Sequence, residues 1–262
     1  MDLGLKGKRA LILGSSRGLG LGIAQQLLVE GADIAICGRD KEFILNKASD
    51  LSNQLTNKIR GYELDLTKPS SVSNLIEVTK KDFGGFDIVV NNGGGPPPGA
   101  IAEAELEIFE KHFRPMVLSQ IEITNAFLIG MRQRKWGRVL IISSSGTVQP
   151  IAGLGISNTL RLSLVGWTKT LSAEVAADGV TVNVILPGRI HTNRVDQIDA
   201  AAADKQGTTI EEIIKDSKAT IPAGRYGTVE EFSNVATFLL SECASYVTGS
   251  LVRVDGGYIR SV

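Results

Sequence analysis

"LILGSSRGLGLGIA" (residues 11–24) is the stretch on which the architecture turns. It joins the short apolar run "RALILG" (9–14) to a helix-forming run that closes at Gly31. The first run has the length and apolar character of a buried strand. Between the two stand Gly14, Gly18 and Gly20, with Ser16, Arg17 and Leu19 among them. Glycine allows a tight turn and lets a ligand come close to the main chain. A helix that begins directly behind the turn offers free N–H groups and the positive end of its dipole. Strand, glycine turn and helix, in that order, make an anion cradle of pyrophosphate size. A tight turn with no ligand explains the three glycines less well.

Working outward, short apolar runs alternate with helical patterns. The runs are "DIAIC" (33–37), "IRGYEL" (59–64), "FDIVV" (86–90), "GRVLIIS" (137–143), "VTVNVIL" (180–186) and "GSLVRVDGG" (249–257). Helices are expected over 41–55, over 69–83 behind Pro69, over 103–135 with a bend near Pro115, over 155–177 and over 230–241. Such alternation predicts an α/β fold: a doubly wound parallel sheet of about seven strands with helices on both faces. No repeat or linker divides the chain, so residues 1–262 read as one domain. "NNGGGPPPGA" (91–100) is a stiff loop at a strand end, where an open parallel sheet lines its ligand crevice. The Ala-rich, polar segment 192–222 is expected to be a mobile insertion carrying substrate determinants.

Composition narrows the classes. The 262 residues are 43% hydrophobic, ample for a sizeable core, and 28 basic residues balance 28 acidic ones. That balance speaks against nucleic acid or an anionic membrane as partner. Two distant cysteines without a C-x-x-C pattern fit a reducing compartment and no metal site. The N-terminus lacks a secretory pattern, and no run approaches the roughly 18 apolar residues of a membrane span. A soluble, cytoplasmic protein is expected.

The glycine spacing, G-x-x-x-G-x-G, resembles that of the short-chain dehydrogenase/reductase family, with its Rossmann-like fold. "ELDLT" (63–67), "NNGG" (91–94), "GVTVNVILPGRIHT" (179–192), "IPAGRYGTVEEFSNVATFLLS" (221–241) and "YVTGSLVRVDGG" (246–257) resemble further segments of it, nearest the bacterial β-ketoacyl-carrier-protein-reductase-like branch. The resemblance implies a nicotinamide cofactor held by Gly14, Ser16, Arg17, Gly18, Leu19 and Gly20. It further implies Asp65 and Leu66 at the adenine, Asn91 and Gly93 at the crevice, and Pro187, Gly188, Ile190 and Thr192 near the nicotinamide. After the second strand, NAD-dependent members usually carry an acid; here "ICGRD" (36–40) places Arg39 there. Arg17 and Arg39 together would fork a 2′-phosphate, favouring NADP(H) over NAD(H). Asp40 complicates this unless it caps the next helix.

The family's Ser, Tyr, Lys and Asn are the resemblance's remaining implication. Anchored on "WGR" (136–138) and "VGWTKTLSAE" (165–174), they fall on Ser144, Ser157, Arg161 and Met116. None of the four tyrosines is followed four residues later by Lys. A phenol titrates near about 10 and is tunable; a Ser hydroxyl is far less acidic. His191 and His112 are each more readily explained as surface or structural residues than as replacement acids. Ser157 and Arg161 have a plain helix-face reading as well. Three functions stay open at this point: an oxidoreductase with altered acid–base groups, an NADP(H)-binding sensor or scaffold, and, more remotely, a lyase or epimerase. The resemblance also implies a homo-oligomer, dimer or tetramer, built partly on the helix that carries Leu160, Leu164, Trp167 and Leu171.

Overall fold

All seven apolar runs pair side by side into one sheet, in the order β3-β2-β1-β4-β5-β6-β7, every neighbouring pair parallel. The strands are β1 (Arg9–Ile12), β2 (Asp33–Gly38), β3 (Ile59–Glu63), β4 (Ile88–Asn91), β5 (Gly137–Ile142), β6 (Val180–Pro187) and β7 (Leu251–Val254). The computed structural model describes residues 1–52 and 57–261. The last residues of the helix expected over 41–55 therefore lie outside the described residues.

Helices cover both faces, which is why the inner strands β2, β1, β4 and β5 are mostly apolar and buried rather than alternating, while the edge strands β3 and β7 are mixed. Leu11 and Leu13 look to one face, with Ala35, Cys37 and Val89. Helices α3 (Pro69–Phe83), α5 (Ser119–Gln133) and α6 (Gly155–Val175) close that side with Leu75, Phe127 and Leu164. Ala10 and Ile12 look to the other, with Ile34 and Ile88. There α1 (Gly18–Val29), α2 (Lys41–Ser52) and α9 (Val229–Leu239) supply Leu27, Ile44 and Phe232. Helices α1 and α9 meet so closely that a Cβ on Gly22 would lie 2.3 Å from Val229. Leu160, Leu164 and Leu171 point into the core, and Trp167 packs against it, so that stripe serves the fold first. Leu162 stays exposed on the opposite face of α6.

Three expectations need correction. The helical stretch of 103–135 begins later: Ile101–Glu103 is a separate 3₁₀ turn and α4 runs Leu106–Phe113. Between α4 and α5, residues Arg114–Leu118 widen into a π turn. Pro115 has no N–H to offer the α ladder, and the turn accommodates this by a wider register. The third correction concerns 192–222, which is not a loose insertion. It folds as α7 (Asn193–Gln206) and α8 (Ile210–Ala219), capped by Thr192 and Thr209 and separated by Gly207 at φ 64°. Asp199 of α7 is buried, pairing with Arg189 at 2.6 Å and accepting from Tyr226 at 2.9 Å. Helix propensity in Ala-rich sequence and this buried polar anchor together order the segment.

The two central strands are pinned at their amino ends by Asp87. Its carboxylate accepts from Arg9 at 2.8 and 2.9 Å, and Arg134 lies 2.8 Å away. Burial alone would raise its pKa; the Arg9 bonds and charge, aided by Arg134, more than offset this and hold it below the usual carboxylate range. Its contribution to stability is therefore present above about pH 4 and lost as pH falls through the lowered native value. Asp87→Asn is expected to cost about 3 kcal/mol at neutral pH. Denaturant titrations at pH 7 and pH 3 should show the gap between wild type and variant closing in acid.

Candidate active site

The order of strands reverses between β1 and β4, so a crevice opens there at the carboxyl ends. The glycine turn forms its floor. Gly14 (φ 55°) and Gly18 (φ 59°) take left-handed backbone, and α1 starts at Gly18. A Cβ on Gly20 would sit 2.6 Å from the carbonyl oxygen of Gly14, and one on Gly14 2.8 Å from that of Asn92. Asn92 closes the contact by donating Nδ2–H to the Gly14 carbonyl at 2.9 Å. Arg17 precedes the helix in extended conformation and no side chain caps it. The first N–H groups of α1 are thus free for an anion. Ser16 and Leu19 flank this cradle, half-buried.

Arg17 and Arg39 are both exposed, and neither is ion-paired among the described residues. The Arg17 guanidinium lies 5.8 Å from the Phe43 ring centroid. Asp40 does cap α2, accepting from the Phe43 N–H at 3.0 Å. Asp65 accepts from Thr67 N–H (3.0 Å) and its hydroxyl (2.7 Å), which lowers its pKa and fixes the turn into α3. The Leu66 carbonyl accepts from Ser119 at 2.8 Å.

Asn91 departs from expectation. Its side chain is fully buried and donates to Thr124 at 2.9 Å. It braces β4 against α5, and its Oδ1 is left without a partner among the described residues. Asn92, which the sequence reading passed over, is the one that reaches the glycine turn. Gly93 runs against Gln120, whose Nε2 would lie 2.8 Å from a Cβ there. The proline loop then turns inward: Gly99 N–H donates to the Gly153 carbonyl at 2.7 Å, just before α6.

On the far side, Pro187 ends β6 and Gly188 fits against Asp255, leaving 2.6 Å for a Cβ. Ile190 is buried and bridges to Gly227. Thr192 caps α7, and its Cγ2 comes within 3.8 Å of a Cβ placed on Gly18. The turn 187–192 thus returns to the glycine cradle.

Ser144, Ser157 and Arg161 meet where the loop after β5 packs on α6. Arg161 Nε donates to Ser157 Oγ at 3.3 Å, one helical turn away. Its Nη1 donates to the carbonyls of Ile142 (3.3 Å) and Ser143 (3.5 Å), directly before Ser144. Its Nη2 and Ser157 Oγ lie 3.7 and 3.9 Å from a Cβ on Gly95, so the proline loop roofs the pair. Ser144 Oγ accepts from Gly146 N–H at 3.1 Å. Both serine oxygens therefore receive a hydrogen bond while neither hydroxyl proton has a protein acceptor among the described residues. The cluster thus has two hydroxyl protons and the Arg161 Nη2 to offer. Burial pushes the Arg161 pKa down to about 10, which leaves it a cation at neutral pH. Met116, buried in the π turn, has no side-chain donor; its carbonyl accepts from Gln120 at 2.9 Å. His191 is exposed and pairs with Asp196 at 3.2 Å, and His112 on α4 is lowered by burial and Lys111. Neither bonds to the Ser144–Ser157–Arg161 group.

A doubly wound sheet with a glycine anion cradle at its switch point, faced by a cluster of donors across the crevice, defines a dinucleotide-binding protein. The chain belongs to the short-chain dehydrogenase/reductase family of oxidoreductases. The family profile described as "Enoyl-(Acyl carrier protein) reductase" matches residues 14–259. The chain is 33% identical over 257 residues to the 3-oxoacyl-(acyl-carrier-protein) reductase FabG of Aquifex aeolicus, covering 98% of this chain and 99% of that one. The L-sorbose reductase of Gluconobacter frateurii, complexed with NADPH and L-sorbose, superposes with a TM-score of 0.94 at 32% identity over the whole of both chains. A putative gluconate 5-dehydrogenase of Beutenbergia cavernae with bound NADP gives 0.89 at 26% identity, again over both whole chains.

Gly20→Ala is expected to push Gly14 and Asn92 apart and weaken dinucleotide binding by about tenfold or more. Fluorescence titration with NADPH and NADH checks this, and both should weaken together.

Proposed function

We propose that the protein is an NADP(H)-dependent oxidoreductase acting on a carbonyl/alcohol pair, with Ser144, Ser157 and Arg161 at its reacting end. The two serine hydroxyls and the Arg161 guanidinium, with Gly95 above Ser157 and Arg161, carry this reading. The residues present fit the cofactor: the close approach at Gly14 and Gly20 leaves main chain where a pyrophosphate needs it, and the first turn of α1 has free N–H groups. Pro187, Gly188, Ile190 and Thr192 would hold the nicotinamide end, and Leu66 and Gly93 the walls of the adenine and central portions. Asp65 would contribute at the adenine through the turn it fixes. NADPH supplies a hydride when bound.

The remaining work falls to the chain. Reduction puts negative charge on the carbonyl oxygen, and donors already aimed at that oxygen stabilise it without reorganising. Ser144 and Ser157 each have a hydroxyl proton to give in a hydrogen bond, and Arg161 holds Ser157 in place while adding positive charge. At the positions that resemble the family's Tyr and Lys, this chain has no group that titrates near neutrality. The final proton therefore comes from water rather than from a tuned phenol, at a cost of about 10²–10⁴ in rate. The reading as a sensor without turnover has the replaced Tyr, Lys and Asn in its favour, but it gives the ordered 187–192 turn no task.

For the cofactor choice, Arg17 and Arg39 are free to fork a 2′-phosphate, and Asp40 is taken up as a helix cap. NADPH should bind at least about tenfold more tightly than NADH. Arg17→Ala should erase most of that difference, and equal losses for the two cofactors would refute the assignment.

The pH–rate profile offers a separate check. With Arg161 as the titrating group, kcat/KM stays level through neutrality and declines as pH rises toward about 10, where the guanidinium loses its charge. An apparent pKa near 7 would instead place His191, or another ordinary acid, in the reaction.

A further inference from the structure

Arg161 presents a cation with no acidic partner among the described residues. Burial lowers its pKa to about 10. Its five N–H donors are only partly used: Nε meets Ser157, Nη1 meets two carbonyls, and Nη2 has no partner among the described residues. That free nitrogen points beneath Gly95, into the crevice.

The surroundings share this bias. The three segments that line the crevice after β4, β5 and β6 (91–100, 143–161 and 187–194) contain Arg161, Arg189, His191 and Arg194 and not one Asp or Glu. Arg189 is answered by Asp199 at 2.6 Å and His191 faces Asp196 at 3.2 Å. Arg194 is exposed on α7. Arg161 is thus the half-buried cation left without an anion among the described residues. A cofactor's phosphates would be met elsewhere, at the first turn of α1 and beside Arg17. An unpaired, partly buried guanidinium carries a desolvation cost, and its planar fork matches a carboxylate.

From this juxtaposition we infer that the substrate is an anion, an oxo acid whose carboxylate is bound by Arg161 while its carbonyl meets Ser144 and Ser157. The inference rests on the proposed reductase function and names its substrate class. It also accounts for arginine at this position, since a planar fork is matched to a carboxylate.

The test is a calorimetric comparison of three acids (oxamate, 4-oxopentanoate and phenylpyruvate), each beside its methyl ester, with and without NADPH. At least one acid should bind about tenfold or more tightly than its ester. Arg161→Met should abolish the preference, Arg161→Lys should retain part of it, and Arg194→Met should leave it intact. Equal binding of acid and ester throughout, or a preference that survives Arg161→Met, overturns the inference. NADPH oxidation by a neutral ketone in preference to every acid also overturns it while leaving the reductase function standing. Failure to bind NADPH at all strikes the reductase function, and the acid–ester comparison without cofactor still decides the charge question.

Discussion

The contact on which the site depends is the approach of Gly20 to the Gly14 carbonyl, with Asn92 clamped on the same oxygen. It brings strand β1, helix α1 and the loop after β4 within hydrogen-bonding distance at one point. That point is the place where the sheet changes direction, so the contact sets both the depth of the crevice and the aim of the helix dipole. Any side chain there would lift the turn off Asn92 and remove the main-chain surface that a diphosphate needs.

Across the crevice a second constraint applies. Ser144 and Ser157 are both held by incoming hydrogen bonds, from Gly146 N–H and Arg161 Nε. An oxygen that already accepts has its proton left to offer. The geometry therefore leaves both hydroxyl protons available to electron-rich partners. Arg161 reinforces this, since a guanidinium gives hydrogen bonds and takes none. A site of this composition is suited to stabilising negative charge.

Most of the architecture was legible in the sequence because it depends on local signals. Seven short apolar runs, a Pro at the start of α3 and glycines after strand and helix ends each act within a few residues. The cradle was legible for the same reason, as was Asp40 as a cap. What escaped were features decided across long separations. Asn91 and Asn92 are adjacent and identical in type; only Thr124 and Gly14, brought up by folding, decide which one braces the core and which holds the turn. Residues 192–222 look polar and loose because their anchor, Asp199, finds Arg189 and Tyr226 only in the folded chain. Pro115 announced a bend, but the wider π register follows from α4 and α5 being held on either side of it. The identities of Ser157 and Arg161 were plain from the start; their bonding to each other, and the roof formed by Gly95, were not.

The charge at Arg161 deserves weighing as a cost to the fold. A half-buried cation here gains three long hydrogen bonds, to Ser157 and the carbonyls of Ile142 and Ser143, and no ion pair among the described residues. A Leu or Met on α6 would pack against the same core without that penalty, as Leu160 and Leu164 do on the adjacent positions. Folding alone therefore gives no reason for arginine here. The nearby segments could have supplied a carboxylate, as α7 supplies Asp199 to Arg189, and they do not. Stability is given up at the one point where the crevice, the proline loop and the end of β5 converge, as expected for a group whose partner is the ligand rather than the protein.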